Sequence, residues 1–350
     1  MSDTAALPDL AVRTLGGSVV AASDESFAAK ENLLNPWAPA FRPETFGAKG
    51  QEYDGWETAR RRPGADGELG HDWAIVRLGL PGVIRVVVVD TAWFLGNFPP
   101  LASVEACAVD GHPSPAEVAA ADWVEIVPMS PLKGGTAHEF TVTGVERRFT
   151  HVRLNIHPDG GVARLRVHGD VVPDPRLLTG LTIDLAALEN GARVVACSNG
   201  FYSAPDNMLY PGLARNQAEG WETARRREPG NEWAVVRLAA PGVIRLAEVD
   251  TTNLRFNAPG AVTLRGLDAR RASPDDPSAW RELLVRTRVQ PDGRHRFRLP
   301  GDREVTHVRV DIHPDGGLAR LRLFGDLTPD GERLLTARWN DLTRNRSGMA

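Results

Sequence analysis

The chain contains two copies of the same stretch of sequence, and this duplication limits what it can fold into. The segment Thr150–Asp170 returns as Thr306–Asp326, with 16 of 21 residues identical. Further upstream, the sequence GWETARRR at Gly55–Arg62 returns at Gly220–Arg227. The separation between the copies falls from 165 to 156 residues along the chain, so the second copy lacks residues between the matching blocks. A period of about 160 residues is too long for a solenoid and indicates a duplicated whole domain.

Composition and charge exclude several classes of protein. The chain is 350 residues long, which is enough for two domains that each bury a core. Its net charge of −4 gives no reason to expect nucleic acid or a membrane surface as a partner. The apolar runs are too short to span a bilayer, and the first residues resemble no secretory signal. Cys107 and Cys197 do not occupy matching places, which argues against a disulfide framework. We therefore expect a cytoplasmic protein.

The longest matching block reads as β-strands. Apolar and polar residues alternate with period two in THVRLNIH, which is typical of a half-buried strand. Its apolar residues are Val152, Leu154 and Ile156, and its outward polar row is His151, Arg153, Asn155 and His157. After the turn PDGG, residues 163–168 alternate in the same way. The two segments are predicted to pair as a hairpin, with PDGG as a structural turn.

Most of the remaining chain also favours short strands. Val83–Thr91 is nearly all apolar and predicts a deeply buried strand, while the Pro-Gly pairs at residues 81 and 241 are expected to interrupt strands. Long helical periodicity is scarce, and the chain holds 34 Gly and 26 Pro. We predict an all-β protein made of two antiparallel jelly-roll β-sandwiches.

The domain limits follow from the repeats and the prolines. The first jelly roll is predicted over residues 10–172 and the second over 176–328, joined by the proline-containing linker Val171–Pro175. A C-terminal tail over 329–350 is expected to contain a short helix at Arg333–Leu342.

The block DGWETARRR carries the densest group of candidate site residues. Arg60, Arg61 and Arg62 each offer a planar fork that suits a carboxylate ligand, and Glu57 is placed to act as an acid or a base beside them. A loop held by tryptophan packing and surface ion pairs would give the same pattern. Because acidic residues surround the arginines, the pattern does not favour nucleic acid.

Two further clusters follow in the first copy. His71 is suited to carrying a proton, and the neighbouring Asp72 would set the pKa of its imidazole. Asn97 lies in a tight loop where its amide could pair with a urea-like group. A capped turn at His71 and a Gly-Asn turn at Asn97 are the structural alternatives.

The sequence contains no motif that identifies a cofactor. Histidines in the outward strand rows, His151 and His157 in one copy and His307 and His313 in the other, leave a divalent cation as an alternative. That alternative is weakened because Asn155 in one row corresponds to Asp311 in the other.

Taken together, DGWETARRR, GHDW, DTAWFLGNFP and PDGGVARLRVHG resemble the allantoicase (allantoate amidinohydrolase) family. The resemblance runs in order through both halves of the chain. It implies tandem jelly rolls of the galactose-binding type and the hydrolysis of allantoate to ureidoglycolate and urea, a step of purine catabolism through allantoin. The implied partner is the small molecule allantoate, and a homo-oligomer is expected as well.

The resemblance also implies roles for the candidate residues. One of Arg60, Arg61 and Arg62 would hold the carboxylate of allantoate, and Asn97 would hold a ureido arm. Expelling urea requires a proton on the leaving nitrogen and a water at the central carbon. Glu57 and the pair His71 and Asp72 would supply this acid and base, in an order that stays open.

The second copy departs from this pattern. It keeps Glu222 and the three arginines 225–227, but Asn231-Glu232 stands where the first copy has His71-Asp72. It also has Arg255-Phe256-Asn257 where the first copy has Leu95-Gly96-Asn97. We therefore expect the principal site in the first copy, and a scaffold, a partner surface or a weaker site in the second.

Two rival functions fit the same sequence features. Paired jelly rolls also occur in carbohydrate- or small-ligand-binding proteins without catalytic activity, although only three Tyr are present to build an aromatic sugar platform. The other rival is a related hydrolase acting on ureidoglycolate.

Overall fold

The computed structural model describes residues 7–64 and 67–343 and divides them into two compact units. The first unit, here called the first repeat, extends to Val172 and includes residues 341–343, and the second repeat is Pro173–Asn340. The division falls inside the predicted linker Val171–Pro175. The last part of the predicted tail, residues 344–350, lies outside the described residues.

Short antiparallel strands make up most of both repeats. In the first repeat the strands are β1 Ser18–Ala22, β2 Phe46–Gly47, β3 Gly50–Gln51, β4 Trp56–Glu57, β5 Asp72–Asp90, β6 Leu101–Cys107, β7 Val124–Pro131, β8 Ala137–Thr141, β9 Phe149–His157, β10 Gly161–Val162 and β11 Arg164–Val171. In the second repeat they are β12 Thr182–Asp184, β13 Arg193–Cys197, β14 Trp221–Glu222, β15 Glu232–Asp250, β16 Ala261–Leu267, β17 Arg281–Arg288, β18 Arg294–Arg298, β19 Glu304–His313, β20 Gly317–Leu318 and β21 Arg320–Leu327.

Strand β5 belongs to both layers of the first sandwich. Its first half pairs with β1 and β9, and β9 continues into β6 and β7. Its second half pairs with β11 on one side and β8 on the other. In the second repeat β15 has the same double role between β13 and β19 and between β21 and β18. The fold is therefore a pair of jelly-roll sandwiches, as the alternation of apolar residues predicts.

Two local predictions were wrong. The segments 151–157 and 163–168 do not form a hairpin, because each pairs with a different half of β5. The Pro81-Gly82 pair does not interrupt a strand, because β5 runs through it with a shift in register. A side chain at Gly82 would approach the carbonyl oxygen of Asp170 to 2.4 Å, so glycine lets the strand pass close to β11 as it changes layers.

The inner faces of the layers carry the core. Val152, Leu154 and Ile156 are completely buried, and so are Val87 and Val89 of the second half of β5. The period-two pattern thus correctly identifies which face of each strand packs inward.

The polar row of β9 was predicted to face outward, and this prediction was wrong for two of its residues. His151 and Asn155 are only 2% and 5% exposed. The reason is that the short helix α1, Pro115–Ala119, and the chain around it bring Val118 and Trp123 over the face that carries Ile75 and Cys107. Both faces of this layer are therefore covered, which alternation within one strand does not reveal.

Helices are few among the described residues. Helix α1 begins at Pro115, and the side chain of the preceding Ser114 forms a capping box with Glu117. The longer helix α2, Pro329–Thr343, contains the predicted helix Arg333–Leu342 and buries Leu335. Within residues 7–64 and 67–343, neither helix has the length and apolar character needed to cross a membrane.

Candidate active site

Glu57 lies on the two-residue strand β4, which pairs with β10, the strand that begins at the last residue of the PDGG turn. Successive residues of a strand point to opposite sides. Trp56 is completely buried and its indole donates to the carbonyl oxygen of Asp24 at 2.8 Å. Because the Trp56 side chain points into the core, the Glu57 side chain points the other way. The part of the sandwich around β4 and β10 towards which it points is here called the rim.

The structure brings Glu57 and Asn97 together. The Asn97 side-chain amide donates to Oε1 of Glu57 at 2.7 Å. Partial burial raises the pKa of the Glu57 carboxyl, and the hydrogen bond from Asn97 opposes that rise. Within the described residues, Oε2 of Glu57 has no hydrogen-bond partner. The carboxylate is therefore held at one oxygen and open at the other.

A buried phenylalanine sets the position of the loop that carries Asn97. Phe94 is completely buried between Gly55 and Gly161, where added Cβ atoms would lie 2.6 and 2.0 Å from its ring. The amide of Gly161 also donates to the carbonyl oxygen of Asn97 at 2.8 Å. The PDGG turn is thus structural, as predicted, and it also holds Asn97 beside Glu57.

The three arginines divide into two kinds. Arg61 donates to Asp72 Oδ1 at 2.6 Å and to the carbonyl oxygen of Leu69 at 2.7 Å. Arg60 and Arg62 are exposed, and neither forms a hydrogen bond or ion pair in the described part of the chain. Arg60 and Arg62 therefore remain available to a ligand, whereas Arg61 holds its own chain.

His71 and Asp72 are adjacent in sequence but have different partners. Asp72 is 1% exposed and accepts from Ser23 Oγ at 2.9 Å in addition to Arg61. The exposed ring of His71 lies against that of His157, with the two centroids 4.7 Å apart. Burial, and then the charge of His71, lowers the pKa of His157. This histidine pair was not predicted, although both residues were singled out separately.

The carboxylate and histidine groups share one rim. His157 ends β9 and Gly161, which pairs with Glu57, follows four residues later. Four residues of extended chain span at most about 13 Å. The backbone between them therefore keeps the Glu57 and His157 regions close together.

The second repeat reproduces two of these arrangements. Asn257 donates its side-chain amide to Glu222 Oε1, as Asn97 does to Glu57. Arg226 donates to the buried Glu232 at 2.9 Å, and Ser198 also contacts this acid. The sequence shows that Asn257 corresponds to Asn97. It does not show that each asparagine bonds the glutamate of its own repeat, because the residues next to the two asparagines differ.

Other parts of the second repeat differ. The side-chain amide of Gln217 donates to Glu222 Oε2 at 2.6 Å, at the oxygen that is open in Glu57. Asn231, in the place of His71, donates to Asp311 at 2.9 Å, so no second imidazole faces His313 from this position. The rim of the second repeat therefore lacks the histidine pair.

The predicted polar rows on β9 and β19 are engaged in contacts of their own. Arg153 and Asn155 both donate to Glu105, at 2.8 and 2.9 Å, and Arg265 and Arg309 each pair with Asp311 at 3.0 Å. Across residues 7–64 and 67–343, no three His, Cys, Asp or Glu side chains come together as a metal-binding group.

A cavity of about 330 Å³ lies at a different place in the second repeat. It is lined by residues that include Pro241, Thr306, His307 and Leu334. Thr306 and His307 stand near the start of β19, whereas His313, Glu222 and Asn257 are associated with its other end. This cavity is therefore separate from the rim that carries the carboxylate and amide pair.

Comparison with known proteins gives a consistent result. The family model described as allantoicase repeat matches residues 8–172 and 183–328. A probable allantoicase of Nocardia farcinica is 55% identical over 323 residues, which cover 92% of this chain and 94% of the relative. A probable allantoicase of Streptomyces coelicolor is 51% identical over 343 residues, covering 95% and 89%. The crystal structure of allantoicase from Saccharomyces cerevisiae superposes with a TM-score of 0.74 at 35% identity, covering 91% of this chain and 92% of that one.

Proposed function

Since the chain belongs to the allantoicase family, we propose that it is a hydrolase that converts allantoate to ureidoglycolate and urea at the rim of the first repeat. The observation that carries the proposal is the Glu57 carboxylate, which is bonded to Asn97 through one oxygen and open at the other. A partly buried carboxylate with a raised pKa is a stronger base than an exposed glutamate, which suits it to taking a proton.

The available groups match the chemistry of allantoate, which carries one carboxylate and two ureido arms on a single carbon. Arg60 and Arg62 are exposed forks for the carboxylate. Asn97 holds a ureido arm next to Glu57. Arg61 and Asp72, which were predicted to bind substrate and to take part in catalysis, act in this proposal as positioning residues, because they bind each other at 2.6 Å.

The proposed reaction needs one base and one acid. Glu57 Oε2 takes a proton from water, and the water oxygen bonds to the central carbon. The bond from this carbon to one ureido nitrogen breaks, and His71 in its imidazolium form donates a proton to that nitrogen. Urea leaves and ureidoglycolate remains. Glu57 then releases its proton to solvent, and His71 takes one up.

The setting of the enzyme is also a proposal. We place it in the cytoplasm, where free thiols such as those of Cys107 and Cys197 are usual. A homo-oligomer is supported by exposed aromatic side chains on the second repeat, among them Phe256 at 99% and Phe201 at 73% exposure.

Urea release from allantoate by the purified chain tests the proposal directly. We expect steady release by the wild type and a loss of about 10²–10⁴-fold in kcat for Glu57→Gln, because the amide keeps the shape but cannot accept a proton. Absence of urea release by the wild type, with and without added divalent cations, would reject this function and favour a non-catalytic binding protein.

A further inference from the structure

The second repeat contains an internal amide ligand at the place where the first repeat is open. Glu222 accepts from Asn257 through Oε1 and from Gln217 through Oε2, the latter at 2.6 Å. Because an ionised carboxylate only accepts hydrogen bonds, both partners present amide N–H groups to it. The carboxylate is thus complementary to a terminal carboxamide.

The first repeat does not supply this group. Gln217 lies three residues before Gly220, and the residue three before the matching Gly55 is Glu52. The carboxylate side chain of Glu52 has no N–H to donate, and Glu57 Oε2 has no partner among the described residues. A ligand amide is therefore needed to complete the first arrangement, whereas the chain completes the second by itself.

The surroundings of the two carboxylates otherwise agree. Each follows a buried tryptophan and faces one asparagine amide, and each precedes three arginines of which the middle one binds a buried acid. In the second repeat Arg225 and Arg227 are exposed and form no hydrogen bond or ion pair within residues 7–64 and 67–343. The second rim therefore retains cationic groups for a carboxylate as well as the acceptor for an amide.

We propose that the second repeat is a latent binding site for small carboxylates with a ureido or carboxamide arm, and that the side chain of Gln217 closes it. The amide of Gln217 occupies the position of the terminal NH₂ of a ureido arm. By analogy with Glu222 Oε2, the open Oε2 of Glu57 in the first repeat accepts a hydrogen bond from such an NH₂ group. Water then takes the place of this NH₂ group before the reaction. The choice of ligand rests on the proposed function.

Gln217 is a suitable closing group because it is exposed and close to the carboxylate along the chain. Its side chain is exposed, and the carboxylate lies only five residues further along the chain. An exposed hydrogen bond of this kind contributes little to folding, so its removal should open the site without unfolding the repeat.

Isothermal titration with hydantoate tests the proposal. Hydantoate carries one carboxylate and one ureido arm and lacks the second arm that would be expelled. We expect the wild type to bind one hydantoate per chain and Gln217→Ala to bind two. The double variant Gln217→Ala with Glu222→Gln should return to one.

A stoichiometry that stays at one for Gln217→Ala, or that is already two for the wild type, would overturn the latent site. The decisive difference is between Gln217→Ala and its Glu222→Gln double variant. That difference is independent of urea release, so failure of the proposed function and failure of the latent site are distinguishable.

Discussion

At the residue scale, acids of similar chemistry are given different roles by their partners. Asp72 is bound by Arg61 and Ser23 in the interior, and Glu232 repeats this arrangement with Arg226 and Ser198. Glu57 instead has one amide partner and an open oxygen. A buried acid is costly to leave without its arginine, so these pairs hold the local chain in place, whereas the open carboxylate at the rim is free to exchange a proton.

The pH dependence of turnover follows from Glu57. The raised pKa of its carboxyl means that protonation begins at a higher pH than for an exposed glutamate. As the proposed base, Glu57 is inactive when protonated, so kcat/KM should fall as the pH drops through this pKa. A pH profile of urea release measures this limb, and a profile flat down to the ordinary glutamate range would argue against the base role.

A second prediction concerns His151, whose pKa burial lowers to about 4. In the unfolded chain the pKa of a histidine is about 6.5. Between pH 6.5 and pH 4 the unfolded chain therefore holds more protons at this residue than the folded chain, so the free energy of unfolding decreases as the pH falls. We expect this residue to remove about 2 kcal/mol from the free energy of unfolding between pH 7 and pH 5. His151→Gln should remove that dependence.

Urea denaturation at both pH values provides the measurement for His151. His112 is exposed, and His112→Gln serves as the matched control that should leave the pH dependence unchanged. An equal pH dependence in the wild type and His151→Gln would show that the buried imidazole does not control acid stability.

At the element scale, the candidate site depends on contacts between short strands and a loop. Strand β4 has only two residues, and its pairing with β10 fixes Glu57. Phe94 fills the space that Gly55 and Gly161 leave open, and this contact places the Asn97 loop. The chemistry thus depends on glycines that contribute no side chain.

Gly161→Ala tests this dependence. The added methyl group would lie 2.0 Å from the Phe94 ring, so the ring and its loop must move. We expect a loss of about 1–3 kcal/mol in the free energy of unfolding and a fall in kcat as Asn97 shifts from Glu57. Gly96→Ala is the control, because no atom lies within 4 Å of its added Cβ. Similar behaviour of the two variants would exclude the packing explanation.

At the scale of the whole molecule, duplication has preserved the scaffold more fully than the candidate chemistry. Both repeats keep the long shared strand, the buried tryptophan and the carboxylate and amide pair. The histidine pair belongs to the first repeat alone among the described residues, and the second has Gln217 on its carboxylate. This difference favours turnover in the first repeat.

Paired variants test the division of labour. Glu222→Gln should leave urea release close to the wild-type rate, because the proposed reaction takes place at Glu57 in the first repeat. Glu57→Gln should abolish most of it. Steady-state kinetics on both proteins gives the comparison, and loss of turnover in Glu222→Gln with activity retained in Glu57→Gln would reverse the assignment.

Much of the architecture was predictable from local patterns. The two repeats, the all-β class and the inward faces of the strands follow from sequence identity and period-two alternation, which are properties of neighbouring residues. Glu57, Asn97, His71 and the arginines could be proposed as candidates because their side chains carry recognisable chemistry. These features need no knowledge of which distant segments meet.

The partners of those residues depended on the folded chain. The separation of Arg61 from Arg60 and Arg62, the facing rings of His71 and His157, and the amide of Gln217 on Glu222 all arise from how loops meet at the rim. The pairing of β9 and β11 with opposite halves of β5 was hidden for the same reason. Hydrogen bonds and packing join residues that are distant along the chain, so their geometry becomes defined when the layers close around the core.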